Sequence, residues 1–221
     1  LHNRVNRDEL RHLVQLETKP RTTLSFYAYT RLADPHAFRD AFYASLHELG
    51  VFGRIYVASE GVNAQISLPT EHMEAFRQYL DTIPFLRNIR LNIAVEDDGK
   101  SLSTLARKGR ERIVAGGLHD AQFDVTDRGV HLSASAFNQL TDDPDTIVVD
   151  MRNYYESEVG HFEKAILPPM ETFRDGLPMV AEMLSDAKEK HVVMYCTGGI
   201  RCEKASAYMK YRGYKNVYQL D

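Results

Sequence analysis

Val192-Val193-Met194-Tyr195-Cys196-Thr197-Gly198-Gly199-Ile200-Arg201 reads as a buried strand, a tight glycine-containing loop headed by a cysteine, and a turn into a helix running from Glu203. A loop of this kind aims consecutive backbone N–H groups at the sulfur, with the positive end of the helix dipole behind it. A free thiol titrates near pH about 8.5, and a helix N-terminus or a neighbouring cation lowers that. Arg201 closes the loop with a cation that does not titrate. The residue types in this order fit a nucleophilic Cys196, an Arg201 partner, and an anion-cradling loop of Thr197, Gly198, Gly199 and Ile200. A lone cysteine after a strand is ordinarily a small core residue; the two glycines and the arginine argue against that here.

The loop is shorter than that of the cysteine phosphatases, which wraps a whole phosphate, so it fits a smaller anion such as one extra sulfur. No Gly-Lys-Ser/Thr follows the glycines, which excludes a Walker-type phosphate loop, and there is no dinucleotide fingerprint. No His/Asp/Glu arrangement stands out as an iron triad. These residues carry no metal or nucleotide motif and leave any cofactor unassigned.

Working outward, the second half alternates apolar strands with helices. Ser133 or Ser135 caps a short helix through Leu140, and Asp142-Asp143-Pro144-Asp145 turns the chain into the strand Thr146–Asp150. A helix around Glu171 to Leu184 leads to His191–Tyr195, and a helix from Glu203 to Arg212 stops at Gly213 before the strand Asn216–Leu220. Apolar strands separated by helices imply a parallel sheet covered on both faces, with its site beyond the carboxyl ends of the strands. Cys196 falls there.

The first half has another rhythm. Thr22–Tyr29 is a strand; Asp34-Pro35 caps a helix with Phe38, Ala41, Phe42, Leu46 and Leu49 at helical spacing, stopped near Gly50. Val51–Ala58 and Gly61–Leu68 are strands joined by a turn. Pro69-Thr70 opens a helix with Met73, Phe76, Tyr79 and Leu80 on one face, and Ile89–Val95 alternates as a last strand. This is the βαββαβ order of ferredoxin-like domains. Asn63 and Gln65 lie on one face of their strand, facing RNA, a neighbouring domain or simply solvent. The domains expected are 1–95, a linker with peripheral elements over 96–131, and 132–221; the class is mixed α/β.

The whole chain has 221 residues, enough for two small cores, and a net charge of -4, which excludes a bulk polyanion binder. Any nucleic-acid contact must be local. The densest basic segment, Lys100 with Arg107, Lys108, Arg110 and Arg112, is the candidate, against the alternative of a solvated linker. No run of about 18 apolar residues is present, so no membrane span is expected. The first residues show no apolar leader core. Two cysteines six positions apart do not make a disulfide scaffold. A cytoplasmic location is the simplest expectation.

Asp150-Met151-Arg152, Glu156, Gly160-His161-Phe162 and the cysteine loop together resemble a rhodanese domain over roughly residues 131 to 221. With the run Tyr195–Ser206, the stretch Glu60–Ser67 and Asp150–Asn153, the chain is similar over nearly its full length to the bacterial tRNA uridine hydroxylases. That resemblance implies a ferredoxin-like domain joined to a rhodanese domain, tRNA as partner, and oxygen-dependent formation of 5-hydroxyuridine at the wobble position with molecular oxygen as co-substrate. A sulfurtransferase or persulfide carrier, and a catalytically silent binding module, are the alternatives. Asp150, Arg152 and His161 are expected to support the loop, His161 as a packed, hydrogen-bonded ring beneath it. Cys202 is either a resolving thiol for an oxidised Cys196 or a buried structural one, the second being favoured because the two side chains are expected to diverge. Two features depart from the family: Lys164 replaces the usual glycine before Ala165, and relatives continue past the position of Asp221 with another helix and a cysteine-rich tail, so the chain is expected to be a piece truncated at that end.

Overall fold

In the computed structural model the described residues are 20–94, 105–109, 113–114 and 123–221, with 105–109 described by backbone alone. The chain divides into two compact units between Ile113 and Val114.

The first unit begins with β1 (Arg21–Tyr29), α1 (Pro35–Glu48), β2 (Phe52–Ala58) and β3 (Gly61–Pro69), followed by α2 (Met73–Thr82) and β4 (Asn92–Ile93). Its sheet has the order β4-β1-β3-β2-β5, in which β5 is Leu105–Gly109. Antiparallel pairing joins the first four strands, and β5 adds to β2 in parallel. Local chemistry explains the elements. Asp34 accepts from the Ala37 N–H at 2.9 Å while Pro35 sits at the first turn of α1, a favourable N-terminus. Gly61 has φ of 138°, and a Cβ there would meet the Ala28 carbonyl oxygen at 2.0 Å; the β2–β3 hairpin therefore requires glycine. Leu24 and Phe26 from β1, Phe42 and Leu46 from α1, and Phe76 and Leu80 from α2 form one core, with Phe26 edge-on to Phe42 at 6.5 Å.

Three expectations change in this unit. The second helix opens as a 3-10 turn over Thr70–His72 before α2 begins. The strand expected over Ile89–Val95 pairs only at Asn92–Ile93, and Val95 lies outside the described residues. The reason is a turn: Asn88 is left-handed at φ 55°, its N–H bonds the Asp81 carboxylate at 2.9 Å, and the Ile89 N–H bonds the Leu86 carbonyl at 3.1 Å. Within the segment expected as linker, β5 is an edge strand of the sheet, because β2 offered a free edge.

The second unit contains β6 (Val130–Leu132), α3 (Ala134–Thr141), β7 (Thr146–Asp150), α4 (Tyr154–Val159), α5 (Phe173–Met183), β8 (His191–Tyr195), α6 (Ile200–Tyr211) and β9 (Asn216–Leu220). All pairings are parallel, in the order β6-β9-β8-β7. Ser133 caps α3 through a bond from the Ala136 N–H at 3.3 Å. Helix α6 starts at Ile200, three residues earlier than the expected Glu203, since Gly199 at φ 78° turns the chain directly from the loop into the helix. Residues Cys202 to Met209 are all buried, so α6 carries no amphipathic signal. Helix α4 is absent from the sequence-based reading because its Tyr154, Tyr155 and Val159 are exposed and give no helical apolar stripe.

Candidate active site

Cys196 leaves the carboxyl end of β8 and sits over the first turn of α6. Its thiol is brought down to about 6. The first cause is a hydrogen bond from the Cys202 side chain; burial opposes it, and the backbone N–H groups of Cys202 and Gly198, with the charge of Arg201, add to the lowering. At neutral pH the sulfur is thus mainly a thiolate, held as an anion at a helix N-terminus. Cys202 is its complement: with 0% exposure, burial and then the bond to Cys196 push its thiol well above the ordinary value, so it stays a donor. The two side chains converge rather than diverge, because six residues around the loop and first turn return the chain beside its start.

The loop is clamped from α4. Glu156 accepts from Arg201 Nη1 at 2.6 Å and Nη2 at 2.9 Å, a bidentate pair, and from Thr197 Oγ1 at 3.0 Å. It also accepts from the Asn153 N–H at 3.0 Å. These bonds, led by Arg201, hold the Glu156 carboxyl down at about 2. Arg201 is therefore already committed to a carboxylate, and Thr197 turns its hydroxyl to that clamp. Gly198 and Gly199 give the loop its path: a Cβ on Gly198 would meet nothing, whereas Gly199 holds a left-handed turn. The role of Glu156 lies outside the sequence-based reading. Its signal was the Asn153-x-x-Glu156 spacing of a capping box, but nothing local indicates the arginine it reaches.

Beneath this, Asp150 at the end of β7 is 1% exposed and accepts from Arg152 Nε at 2.9 Å and Nη2 at 2.7 Å, from the Arg152 N–H at 2.9 Å, and from the Tyr195 hydroxyl at 2.7 Å. Burial raises its carboxyl, but the Arg152 and Tyr195 bonds outweigh this and hold it low. Burial, then the bond to Asp150, pushes the Tyr195 phenol up to about 12. Arg152 Nη2 also bonds the Gly160 carbonyl at 2.5 Å, and the Phe162 N–H reaches the Tyr195 hydroxyl at 3.2 Å. The group ties residues 160–162 to the strands under Cys196. His161 is exposed rather than packed beneath the loop, its Nδ1 lying 2.9 Å from the Ser157 carbonyl; α4 ends before it and leaves the ring at the surface. Lys164, the departure from the family pattern, is left-handed at φ 62°, which accounts for glycine there elsewhere.

Of the basic segment, Arg107 and Lys108 lie on β5, while Lys100, Arg110 and Arg112 lie outside the described residues. Among the described residues no group of three or more His, Cys, Asp or Glu could hold a metal ion, and no helix is long and apolar enough to cross a membrane.

A βαββαβ sheet followed by a parallel sheet with a cysteine loop at its carboxyl edge defines a two-domain, rhodanese-containing protein. Family models agree: residues 21–113 match the UPF0176 acylphosphatase like domain and 133–221 the Rhodanese-like domain. Over its full length the chain is 56% identical to a protein named tRNA uridine(34) hydroxylase from Photorhabdus laumondii, covering 63% of that protein. Proteins of the same name from Pectobacterium carotovorum, 55% identical, and Yersinia enterocolitica, 56% identical, are covered to 62% and 63%, again by the full chain. The chain is similar to these relatives over its full length, and it spans somewhat under two thirds of theirs.

Proposed function

We propose that this chain is the N-terminal and rhodanese part of an enzyme that hydroxylates the wobble uridine of tRNA to 5-hydroxyuridine, with molecular oxygen as co-substrate. The observation that supports it most is full-length identity of 56% to a protein bearing that activity in its name, joined to a cysteine with a thiol lowered to about 6. In this reading Cys196 supplies a thiolate nucleophile at neutral pH. The Gly198 and Cys202 N–H groups steady negative charge on its sulfur, and the Glu156–Arg201 clamp fixes the loop that carries it. Asp150 and Arg152 position the loop from below. An enzyme acting on bacterial tRNA would work in the cytoplasm.

Nucleoside analysis of tRNA tests this. Cells lacking the gene should lose wobble nucleosides built on 5-hydroxyuridine, and the full-length gene should restore them where its Cys196→Ala form does not. Loss of a thiolated nucleoside with 5-hydroxyuridine intact would overturn the reading in favour of sulfur transfer. For the basic segment we propose that Lys100, Arg107, Lys108, Arg110 and Arg112 neutralise phosphates. Replacing Arg107, Lys108 and Arg110 by alanine should flatten the salt dependence of tRNA binding by about 0.7 to 0.9 for each phosphate no longer neutralised, with Cys196 alkylation unchanged. A wild-type slope would make the segment a solvated linker.

A further inference from the structure

Strand β7 is the outer strand of the second sheet, beyond β8 in the order β6-β9-β8-β7. Its backbone groups alternate between the two sides. The Met151 N–H, just past the strand, reaches the Tyr195 carbonyl of β8 at 2.9 Å. The Asp150 N–H turns the other way, to the Ile166 carbonyl at 3.0 Å, and the Val148 carbonyl takes the Ile166 N–H at 2.8 Å. Ile166 thus adds one parallel rung to the outer edge, opposite Val149. By the same alternation the next rung would join the Thr146 carbonyl and the Val148 N–H to Lys164. Lys164 is left-handed at φ 62°, which takes the chain off the edge. Among the described residues the Thr146 carbonyl and the Val148 N–H have no other partner.

Beside this missing rung lies a cavity of about 500 Å³. Phe137, Ile147, Val148, Phe162 and Ile166 give it apolar walls, and it is also lined by Thr146, whose hydroxyl oxygen is buried without a hydrogen-bond partner. Asp142, Asp143 and Glu163 set three exposed carboxylates around it against one ammonium, that of Lys164. Asp143 accepts from the Asp145 N–H at 2.9 Å, and the nearby Lys190 pairs with Asp145 at 3.2 Å. Among the described residues no cation pairs with any of the three.

An uncovered strand edge is a template for pairing with another chain. An extended peptide uses such an edge by adding a strand: its main chain makes the ladder bonds and its alternate side chains enter the neighbouring pockets. A small molecule would fit the volume, but it does not carry an N–H and a C=O at strand spacing. A phosphate-bearing ligand, RNA included, is repelled by the three carboxylates, whereas a cationic peptide is attracted. We infer that the edge of β7 over residues 146–148 binds an extended, basic peptide segment of a partner protein, whose backbone completes the rung that Lys164 leaves out. This inference is independent of the tRNA reading.

The test uses the full chain and a short labelled peptide of alternating lysine and valine, followed by fluorescence anisotropy. Two control peptides carry an N-methylated backbone, or glutamate in place of lysine. The lysine–valine peptide should bind at least about tenfold more tightly than either, since the N-methylated form loses the ladder bonds and the acidic form meets like charge. The Val148 amide should become protected from hydrogen exchange in the complex. Asp142→Asn/Glu163→Gln, at two exposed positions, should weaken binding about fivefold or more and flatten its salt dependence. Asn138→Trp, at an exposed position of α3 that lines the cavity, should block binding. Equal affinity for the lysine–valine and N-methylated peptides overturns the inference, as does wild-type affinity in the carboxamide double variant or no binding of the lysine–valine peptide at millimolar concentration. If Asn138→Trp melts early, the N-methyl comparison decides, because it leaves the protein unchanged. Sedimentation of the free chain covers the remaining occupant. A dimer that Asn138→Trp splits would give this edge to a second copy and overturn the peptide reading.

Discussion

Glu156 and Arg201, 45 residues apart, form a two-bond pair at 2.6 and 2.9 Å that joins α4 to the cysteine loop. A bidentate carboxylate–guanidinium pair fixes orientation as well as proximity. The same carboxylate takes the Thr197 hydroxyl and the Asn153 N–H, so one side chain organises the start of α4 and the path of residues 197–201.

Removing that carboxylate should loosen the second unit. Glu156→Ala is expected to cost about 2 kcal/mol in urea unfolding at pH 7, the scale of losing hydrogen bonds to a charged group. The pH dependence has a defined sign. Because the folded carboxyl lies at about 2, below its unfolded value, the stabilisation is complete above the ordinary glutamate range and fades as pH falls toward 2. The gap between wild type and variant should therefore be constant above pH about 5 and close below it. A gap that widened on acidification would refute the clamp.

Alkylation of Cys196 by iodoacetamide should follow a midpoint near pH 6, in line with a thiol at about 6. Cys202→Ala should move that midpoint up toward the ordinary thiol range and Cys202→Ser, which keeps a donor, should move it less. Arg201→Ala should also act less than Cys202→Ala, since Glu156 already balances the guanidinium. An Arg201→Ala shift larger than that of Cys202→Ala would reverse this ranking of causes.

Asp150→Asn breaks a buried carboxylate network of Arg152 and Tyr195 and should destabilise by about 3 kcal/mol, as for one partner removed from a buried pair. Its carboxyl is held below the ordinary value, so this contribution too is present at neutral pH and lost on acidification. Thermal melts at pH 7 and below pH 4 should show the difference shrinking. The phenol of Tyr195, pushed up to about 12 by burial and by Asp150, should titrate nearer 10 in the variant when followed by ultraviolet absorbance.

Lys164 carries a left-handed backbone at φ 62°, and glycine takes that conformation without a Cβ penalty. Lys164→Gly should raise stability by about 0.5 to 1 kcal/mol, partly offset by greater unfolded-chain freedom. Lys164→Ala keeps the penalty and should give no gain. Equal melting temperatures for the glycine and alanine variants would show that the backbone there relaxes.

Much of the architecture was legible in local chemistry. The Asp34-Pro35 cap, the 3.6-residue spacing of Phe38, Phe42 and Leu46, and the apolar runs Thr146–Asp150 and His191–Tyr195 each declare their element, because hydrophobic period and capping act within a few residues. The strand–loop–helix order around Cys196 likewise follows from the glycines and the arginine that flank it. What resists such reading is α4, whose exposed Tyr154, Tyr155 and Val159 hide its helical character, and the start of α6, which lies at Ile200 and not at Glu203.

The sequence alone determined two sheets of different kinds and a cysteine at a strand's carboxyl end. Only the tertiary structure decided which groups meet there. Cys202 lowers the Cys196 thiol, and Glu156 occupies Arg201. The reason is physical: secondary structure is written in interactions a few residues long, whereas a thiol's charge and a surface's chemistry depend on side chains that only long-range register and helix packing bring within bonding distance.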